Sequence, residues 1–390
     1  MRILQLCHKP LSGRPDGGKL AMKSLAEGLR ANGAEVFSWM IETPSHPASA
    51  QDRAQGISKS FFIDTRVKVF PALRDLLGGE SYNLSRFASE AACRDISDVI
   101  ATFKPDVILA EGIFTLAGWM KHGFGKDLPV VLRSHNIEHL IWDRMAEAES
   151  NPLKRWYLRR LALALKKEEQ EIWEKSDAII AISDQDAAVI AASVPQKKLS
   201  TVSIGFDIPP KAEMKFSGTE FFHIGAMDWR PNREGMEHFL RDVWPVLKRD
   251  HPSIVFRIAG KGMPAKFGTL ENEGVFVVKV DDAQEFMRNS GVMIVPLLSG
   301  SGVRVKIIEG LMQGIPLITS AIGKEGIPAV AGKHLFEAND LESYRLIFNK
   351  LTAHPELLNE VSENARTFAA GNYRKDVLGL KALDFIRELM

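Results

Sequence analysis

The sequence predicts an α/β protein of two doubly wound domains whose parallel sheets face a central cleft. Length is the first reason, since 390 residues exceed the roughly 250–300 at which a single hydrophobic core stops growing. Alternation is the second. Short β-rich apolar runs at 3–6, 36–39, 107–109 and 130–132 are separated by helical patterns, and a second series runs through 221–224, 254–259, 275–278, 293–295 and 317–319. Strand and helix in alternation build a parallel sheet covered on both faces. The third reason is a break between the two series. There Ser203-Ile204-Gly205-Phe206-Asp207-Ile208-Pro209-Pro210, and the polar stretch to Gly218, carry turn chemistry without periodicity.

Taken in order, the first helix, at 20–29, ends at Asn32-Gly33, where glycine adopts the left-handed conformation that closes a helix. The expected domains are 1–204 and 205–374, with 375–390 an amphipathic helix packing back on the first. No internal repeat or low-complexity tract interrupts them. Open parallel sheets bind ligands at the carboxyl ends of their strands, so functional residues are expected in the loops just after strands.

Fifty Lys and Arg against 49 Asp and Glu leave no long-range positive field of the kind that marks a nucleic-acid binder, so an anionic ligand must be held locally. Cys7 and Cys93 lie in a predicted strand and a predicted helix, without zinc-type spacing, and read as core thiols of a reduced, cytoplasmic protein. A strand beginning at Arg2, and Glu111 and Lys121 interrupting the most apolar stretch, argue against a signal peptide and a membrane helix.

The most specific segment is Val295-Pro296-Leu297-Leu298-Ser299-Gly300-Ser301-Gly302-Val303-Arg304-Val305-Lys306-Ile307-Ile308-Glu309-Gly310, a strand leading through a small-residue loop into a helix. Gly300 and Gly302 let backbone N–H groups approach a ligand, with Ser299 and Ser301 beside them, and the helix N-terminus adds partial positive charge. Arg304 and Lys306 supply side-chain charge, and Glu309, one to two turns on, is placed to accept from ribose hydroxyls. Diphosphate beside ribose describes a nucleotide; a strand-to-helix turn with solvated charges is the bland account of the same residues.

The next segment, Gln313-Gly314-Ile315-Pro316-Leu317-Ile318-Thr319-Ser320 followed by Gly323-Lys324-Glu325-Gly326, resembles glycosyltransferase family 4 and its relatives of GT-B fold, with two Rossmann-like domains. The resemblance extends over essentially the whole chain. Asp16-Gly17-Gly18 looks like the family's glycine-rich loop beside the donor phosphate, which implies that Gly17 and Gly18 leave space for ligand. Arg133-Ser134-His135-Asn136-Ile137-Glu138 resembles its histidine-bearing loop, which implies that His135 contacts the transferred sugar. Arg230-Pro231-Asn232-Arg233 is similar to a branch with a Pro-Asn pair before the first helix of the second domain. There Asn232 reads either as a helix cap or as a donor contact, and Arg230 and Arg233 as diphosphate clamps or solvated arginines. Asp281, in Lys279-Val280-Asp281-Asp282, and the Gly260-Lys261-Gly262 loop are expected to border base and ribose.

Two positions depart from the family pattern. Many members carry two glutamates eight positions apart; Glu309 matches the second, and Ser301 stands at the first. Arg233-Glu234-Gly235 lacks the lysine that usually precedes the glycine, so Lys306, Arg304 or Arg233 is expected to take over its diphosphate contact.

The resemblance implies a retaining transferase acting by front-face displacement on a nucleotide-sugar donor, such as a UDP- or GDP-sugar, with His135, Lys306 and Arg304 as its catalytic residues. No Asp-x-Asp motif of the metal-dependent fold appears, so neither metal nor cofactor is expected. A saccharide or lipid-linked saccharide is the expected acceptor, as in cell-surface polysaccharide or glycolipid synthesis. Segments 44–75 and 150–175 are idiosyncratic. Lys154, Arg155, Trp156, Tyr157, Arg159, Arg160, Lys166 and Lys167 read either as a peripheral membrane contact through 151–175 at the inner membrane face, or as a solvated helix packing Leu161 and Leu165. A sugar-nucleotide epimerase and a catalytically silent nucleotide-sugar binder are the rival readings.

Overall fold

A computed structural model describes residues 1–13, 16–49, 52, 56–211, 214, 216–300 and 302–390, without the side chain of Leu73. The chain divides into a first unit of 1–205 with 375–390, and a second of 206–374.

In the first unit the apolar runs become strands buried on both faces, as a parallel sheet requires. β1 (Arg2–Cys7), β2 (Glu35–Glu42), β3 (Ser58–Phe62), β4 (Val107–Glu111), β5 (Val130–Ser134), β6 (Ala178–Ala181) and β7 (Lys198–Thr201) form one seven-stranded sheet, ordered β3-β2-β1-β4-β5-β6-β7. Every neighbouring pair is parallel. Successive side chains alternate between faces. Leu4, Ile108 and Leu132 therefore join a core with Trp39 and Trp173, while Ile3, Val107, Leu109 and Val131 face Leu25, Leu29, Leu383 and Ile386.

That second face is covered by two helices, Gly17–Ala31 and Lys375–Arg387, which touch at glycines. A Cβ on Gly379 would lie 2.2 Å from the Gly28 carbonyl carbon, and one on Gly28 would lie 2.2 Å from the Lys375 carbonyl oxygen. Only hydrogen at both positions permits this spacing. Asn32 Nδ2 also donates to the Asp376 carbonyl at 2.8 Å. The C-terminal helix thus belongs to the core of the first unit although the chain reaches it by way of the second.

The second unit repeats the plan. β8 (Glu220–Ile224), β9 (Val255–Ala259), β10 (Val275–Val278), β11 (Val292–Val295), β12 (Leu317–Thr319) and β13 (Phe336–Glu337) form a parallel six-stranded sheet, ordered β10-β9-β8-β11-β12-β13. The helix Val305–Gln313 ends at Gly314, whose φ of 75° is the left-handed value that closes it.

In each sheet the order reverses beside the first strand, between β1 and β4 and between β8 and β11. Loops at such reversals diverge to opposite faces and leave a crevice at the strands' carboxyl ends. The sequence reading lacked β3, β6, β7 and β13: β3 and β7 are edge strands of mixed polarity, β6 has four residues and β13 two.

Candidate functional site

Each reversal carries a cluster of polar side chains. In the first unit Glu111 ends β4 and is fully buried, as is Arg133 in β5. Glu111 Oε1 accepts from Gln5 Nε2 at 2.7 Å, and Oε2 from His135 Nε2 at 2.6 Å and Arg133 Nη1 at 3.3 Å. Gln5 is itself fixed, accepting from Ser38 Oγ at 2.9 Å. Arg133 donates onward to the carbonyls of Ala21 and Ser203. Burial alone would raise the Glu111 carboxyl, but Arg133 and the bonds from His135 and Gln5 reverse that and hold it at about 2.

His8, just after β1, meets the His135 ring edge-on at 5.6 Å and donates from Nδ1 to the Glu111 carbonyl at 2.9 Å. Burial, His135 and Lys9 lower His8 to about 3. Burial also lowers His135, outweighing Glu111, with Arg133 and Lys9 acting in the same direction. Both rings are therefore neutral near pH 7.

Gly17 and Gly18 form the first turn of their helix, capped by Asp16, which accepts from the Lys19 backbone N–H at 3.0 Å. The space above Gly18 is taken up by Lys9: an added Cβ would lie 3.0 Å from its Nζ, which pairs with Asp16 at 2.7 Å. In this structure the end of the Lys9 side chain lies over Gly18.

In the second unit the Lys306 side chain, from the first turn of Val305–Gln313, reaches the end of β8. Its Nζ donates to the Ile224 carbonyl at 3.1 Å and to Asn232 Oδ1 at 3.0 Å. No carboxylate lies within ion-pair distance of it among the described residues. Burial, with Arg304 adding like charge, brings the ammonium down to about 7. Asn232 Nδ2 donates to the Ala226 carbonyl at 3.0 Å. His223 donates from Nδ1 to the Ile294 carbonyl at 2.8 Å, and its buried Nε2 has no partner among the described residues. These groups converge over Gly225, where an added Cβ would meet Lys306 Nζ at 2.5 Å and both Asn232 Nδ2 and His223 Nε2 at 2.8 Å. The neighbouring Gly260 has φ of 141°, and a Cβ on it would lie 1.9 Å from the Gly225 carbonyl oxygen, so glycine there locks the β8 and β9 loops together.

The remaining expected residues fall in different places. Arg304 is buried, its guanidinium 5.6 Å from the Trp229 ring centroid and packed against Gly300. Glu309 is half-buried, accepts a long bond from Gln284 Nε2 at 3.4 Å, and is raised by burial. Gly302 opens the turn into the helix, Ser299 is exposed, and Ser301 lies outside the described residues. Asn232 is not a cap: it sits inside the helix Arg230–His238, whose capping position is Trp229. Two residues along a helix turn by ~200°. Asn232 therefore faces Lys306, while Arg230 and Arg233 are exposed, Arg230 pairing with Glu234 at 2.6 Å. Asp281 is exposed, and the cap of the following helix is its neighbour Asp282.

The sequence reading missed Glu111, Gln5, His8, Lys9 and His223. Glu111 had a visible signal, a carboxylate closing an apolar strand, because charges in such places are retained when paired.

Residues 15–208 match the family model described as Glycosyltransferase Family 4, and residues 218–351 the model described as Glycosyl transferases group 1. A curated relative, an uncharacterized 44.6 kDa protein in the cps region of Klebsiella pneumoniae, is 22% identical over 261 residues. That match spans 62% of this chain and 64% of the relative. Among solved structures, sucrose-phosphate synthase from Thermosynechococcus elongatus is similar at a TM-score of 0.70 and 15% identity, covering 100% of this chain and 99% of that one. Anabaena HepE in complex with UDP is similar at 0.65 and 13% identity, covering 100% of both chains. A variant of S. aureus TarM in complex with fondaparinux, alpha-GlcNAc-glycerol and UDP follows at 0.66 and 12%, covering 98% and 99%. With two parallel Rossmann-like sheets and both family models matched along its length, the chain belongs to the glycosyltransferase family 4 and group 1 proteins of GT-B fold.

Proposed function

We propose that this protein is a retaining, metal-independent glycosyltransferase that moves a hexose from a nucleotide-sugar donor, such as a UDP- or GDP-sugar, to a saccharide or lipid-linked acceptor. The observation that carries this reading is Lys306, a half-buried lysine whose hydrogen-bond partners are neutral, at a sheet reversal and in the first turn of a helix. An ammonium there is costly without an anion, and a diphosphate supplies one. The UDP complexes of HepE and TarM favour a uridine nucleotide.

In this reading the acceptor hydroxyl attacks the anomeric carbon on the face the diphosphate leaves. The carbon–oxygen bond to phosphate breaks with its electron pair moving to the diphosphate. The hydroxyl proton passes to that departing phosphate oxygen as the glycosidic bond forms. Lys306, Arg304 and the helix N-terminus stabilise the growing negative charge, Glu309 takes the ribose, and His135 contacts the transferred sugar. Glycolipid or surface-polysaccharide assembly would bring the helix Pro152–Lys175 to anionic lipid, with Leu153, Trp156 and Leu163 exposed among its basic residues.

The test is transfer from a panel of UDP-, GDP- and ADP-sugars, with the product's anomeric configuration read by proton NMR. Nucleotide release with the donor's configuration kept is expected, with EDTA having no effect. Inverted product would overturn retention, and loss of activity with EDTA would overturn metal independence.

A further inference from the structure

We propose that Glu111 is a positioning residue that holds His135 in the Nε2–H tautomer, so that Nδ1 offers a lone pair to one hydroxyl of the transferred sugar and rejects sugars lacking that hydroxyl. This rests on the sugar contact assigned to His135 above. An ionised carboxylate can only accept hydrogen bonds, so at 2.6 Å the shared proton belongs to Nε2 of the ring. Glu111 cannot turn away, because Gln5 holds its other oxygen and Arg133 the same one, all three fully buried. The neutral ring then has a bare Nδ1, which makes no hydrogen bond among the described residues.

The surroundings keep that polarity. His8 packs edge-on against His135 and spends its own Nδ1–H on the Glu111 carbonyl, so its Nε2 is likewise a bare acceptor. Arg133 and Lys9 face the pair with positive charge and disfavour a second proton on either ring. The charged and titratable groups facing His135 are thus Glu111, Arg133, His8 and Lys9, drawn from β4, β5 and the loop after β1. The two rings present lone pairs to a ligand that must bring hydrogen-bond donors, and a saccharide hydroxyl is such a donor. A fluorine at the same carbon fits the space but can only accept, which makes deoxyfluoro sugars the discriminating probes.

The first measurement uses the wild-type protein with 15N-labelled histidine, its His135 signals assigned with His135→Gln. Expected is a protonated Nε2 and an unprotonated Nδ1 from pH 6 to 8; an Nδ1–H tautomer or an imidazolium in that range overturns the proposal, whatever the protein transfers. The second compares the accepted donor with its deoxyfluoro analogues, position by position. One position should lose roughly ten- to a hundredfold in kcat/KM in wild type, and Glu111→Gln should lower kcat with KM little changed and erase that discrimination. Equal tolerance of every analogue by wild type overturns the hydroxyl contact. Discrimination that survives in Glu111→Gln overturns the positioning role. If Glu111→Gln does not fold, the wild-type ring signals and analogue series still decide. Absence of transfer from any sugar nucleotide refutes the transferase reading instead, and leaves the tautomer result standing.

Discussion

A half-buried lysine beside neutral partners has lost part of its solvation, and an arriving anion relieves that cost. Under the proposed function Lys306 is therefore expected to make donor binding pH-dependent. With its ammonium brought down to about 7, diphosphate binding draws in a proton above that pH, and affinity should fall by as much as about tenfold per pH unit there. Calorimetry in buffers of different ionisation enthalpy would detect the proton. In ligand-free protein the unfolded lysine binds more protons between about 7 and its ordinary 10.5, so this residue makes stability rise with pH across that window, and Lys306→Met should remove that contribution. Glu111 has the opposite sense. Held at about 2 against an ordinary 4.5, it contributes stability that is present above 4.5 and lost as pH falls through 2. Glu111→Gln leaves Arg133 without its carboxylate and should cost about 3–5 kcal/mol in urea unfolding at pH 7, with a flatter acid limb. At this scale the sequence singled out Lys306 by its place near a helix N-terminus and His135 by a resemblance and its place after a strand. It could not reveal that Asn232 turns inward while Arg230 and Arg233 turn out, because that follows from a helix beginning at Arg230 rather than after Asn232. Nor could it show that Glu111 and Gln5, 106 residues apart, share one proton network.

Among the elements, the C-terminal helix Lys375–Arg387 has a small contact with large consequences. Leu378, Ala382, Leu383 and Ile386 fill the same core as Ile3, Leu25 and Val107. Gly379→Val would force the two covering helices apart where no atom fits, and should lower first-unit stability by about 1–3 kcal/mol or more. Differential calorimetry with each unit monitored by its own probe should show the transition of the second unit unmoved. Gly225→Ala pushes on Lys306 rather than on a core, so it should reduce nucleotide binding more than thermal stability. The amphipathic period at 375–390 was legible as a helix, and the alternating runs as most central strands. The edge strands were not: β3 and β7 lack the paired apolar faces that make a central strand visible, and their pairing is decided by neighbours far away in sequence.

For the molecule as a whole charge is balanced, and the proposed function places its attraction for anions at Lys306 in the second unit and along the basic helix in the first. No helix among the described residues is long and apolar enough to cross a membrane. Binding to vesicles containing anionic lipid should therefore be weak, weaken further with salt, and fall on Trp156→Ala with Arg159→Ala; binding unchanged by both would remove this helix as the contact. Two doubly wound domains were legible from length and alternation because each sheet is written locally, strand by strand. The fold class and the family were legible in the sequence, but the residue at the first of the two glutamate positions, Ser301, lies outside the described residues, and its role stays a sequence expectation. The most direct test of the central claim is thermal stabilisation by UDP, GDP and ADP and their sugar conjugates, in wild type and in Lys306→Ala. A ligand bound at a hundred times its Kd adds about 2.7 kcal/mol to the folded state. One nucleotide should raise Tm in wild type, its sugar conjugate further, and Lys306→Ala should lose most of both shifts. No shift with any nucleotide, or equal shifts in the two proteins, would contradict it.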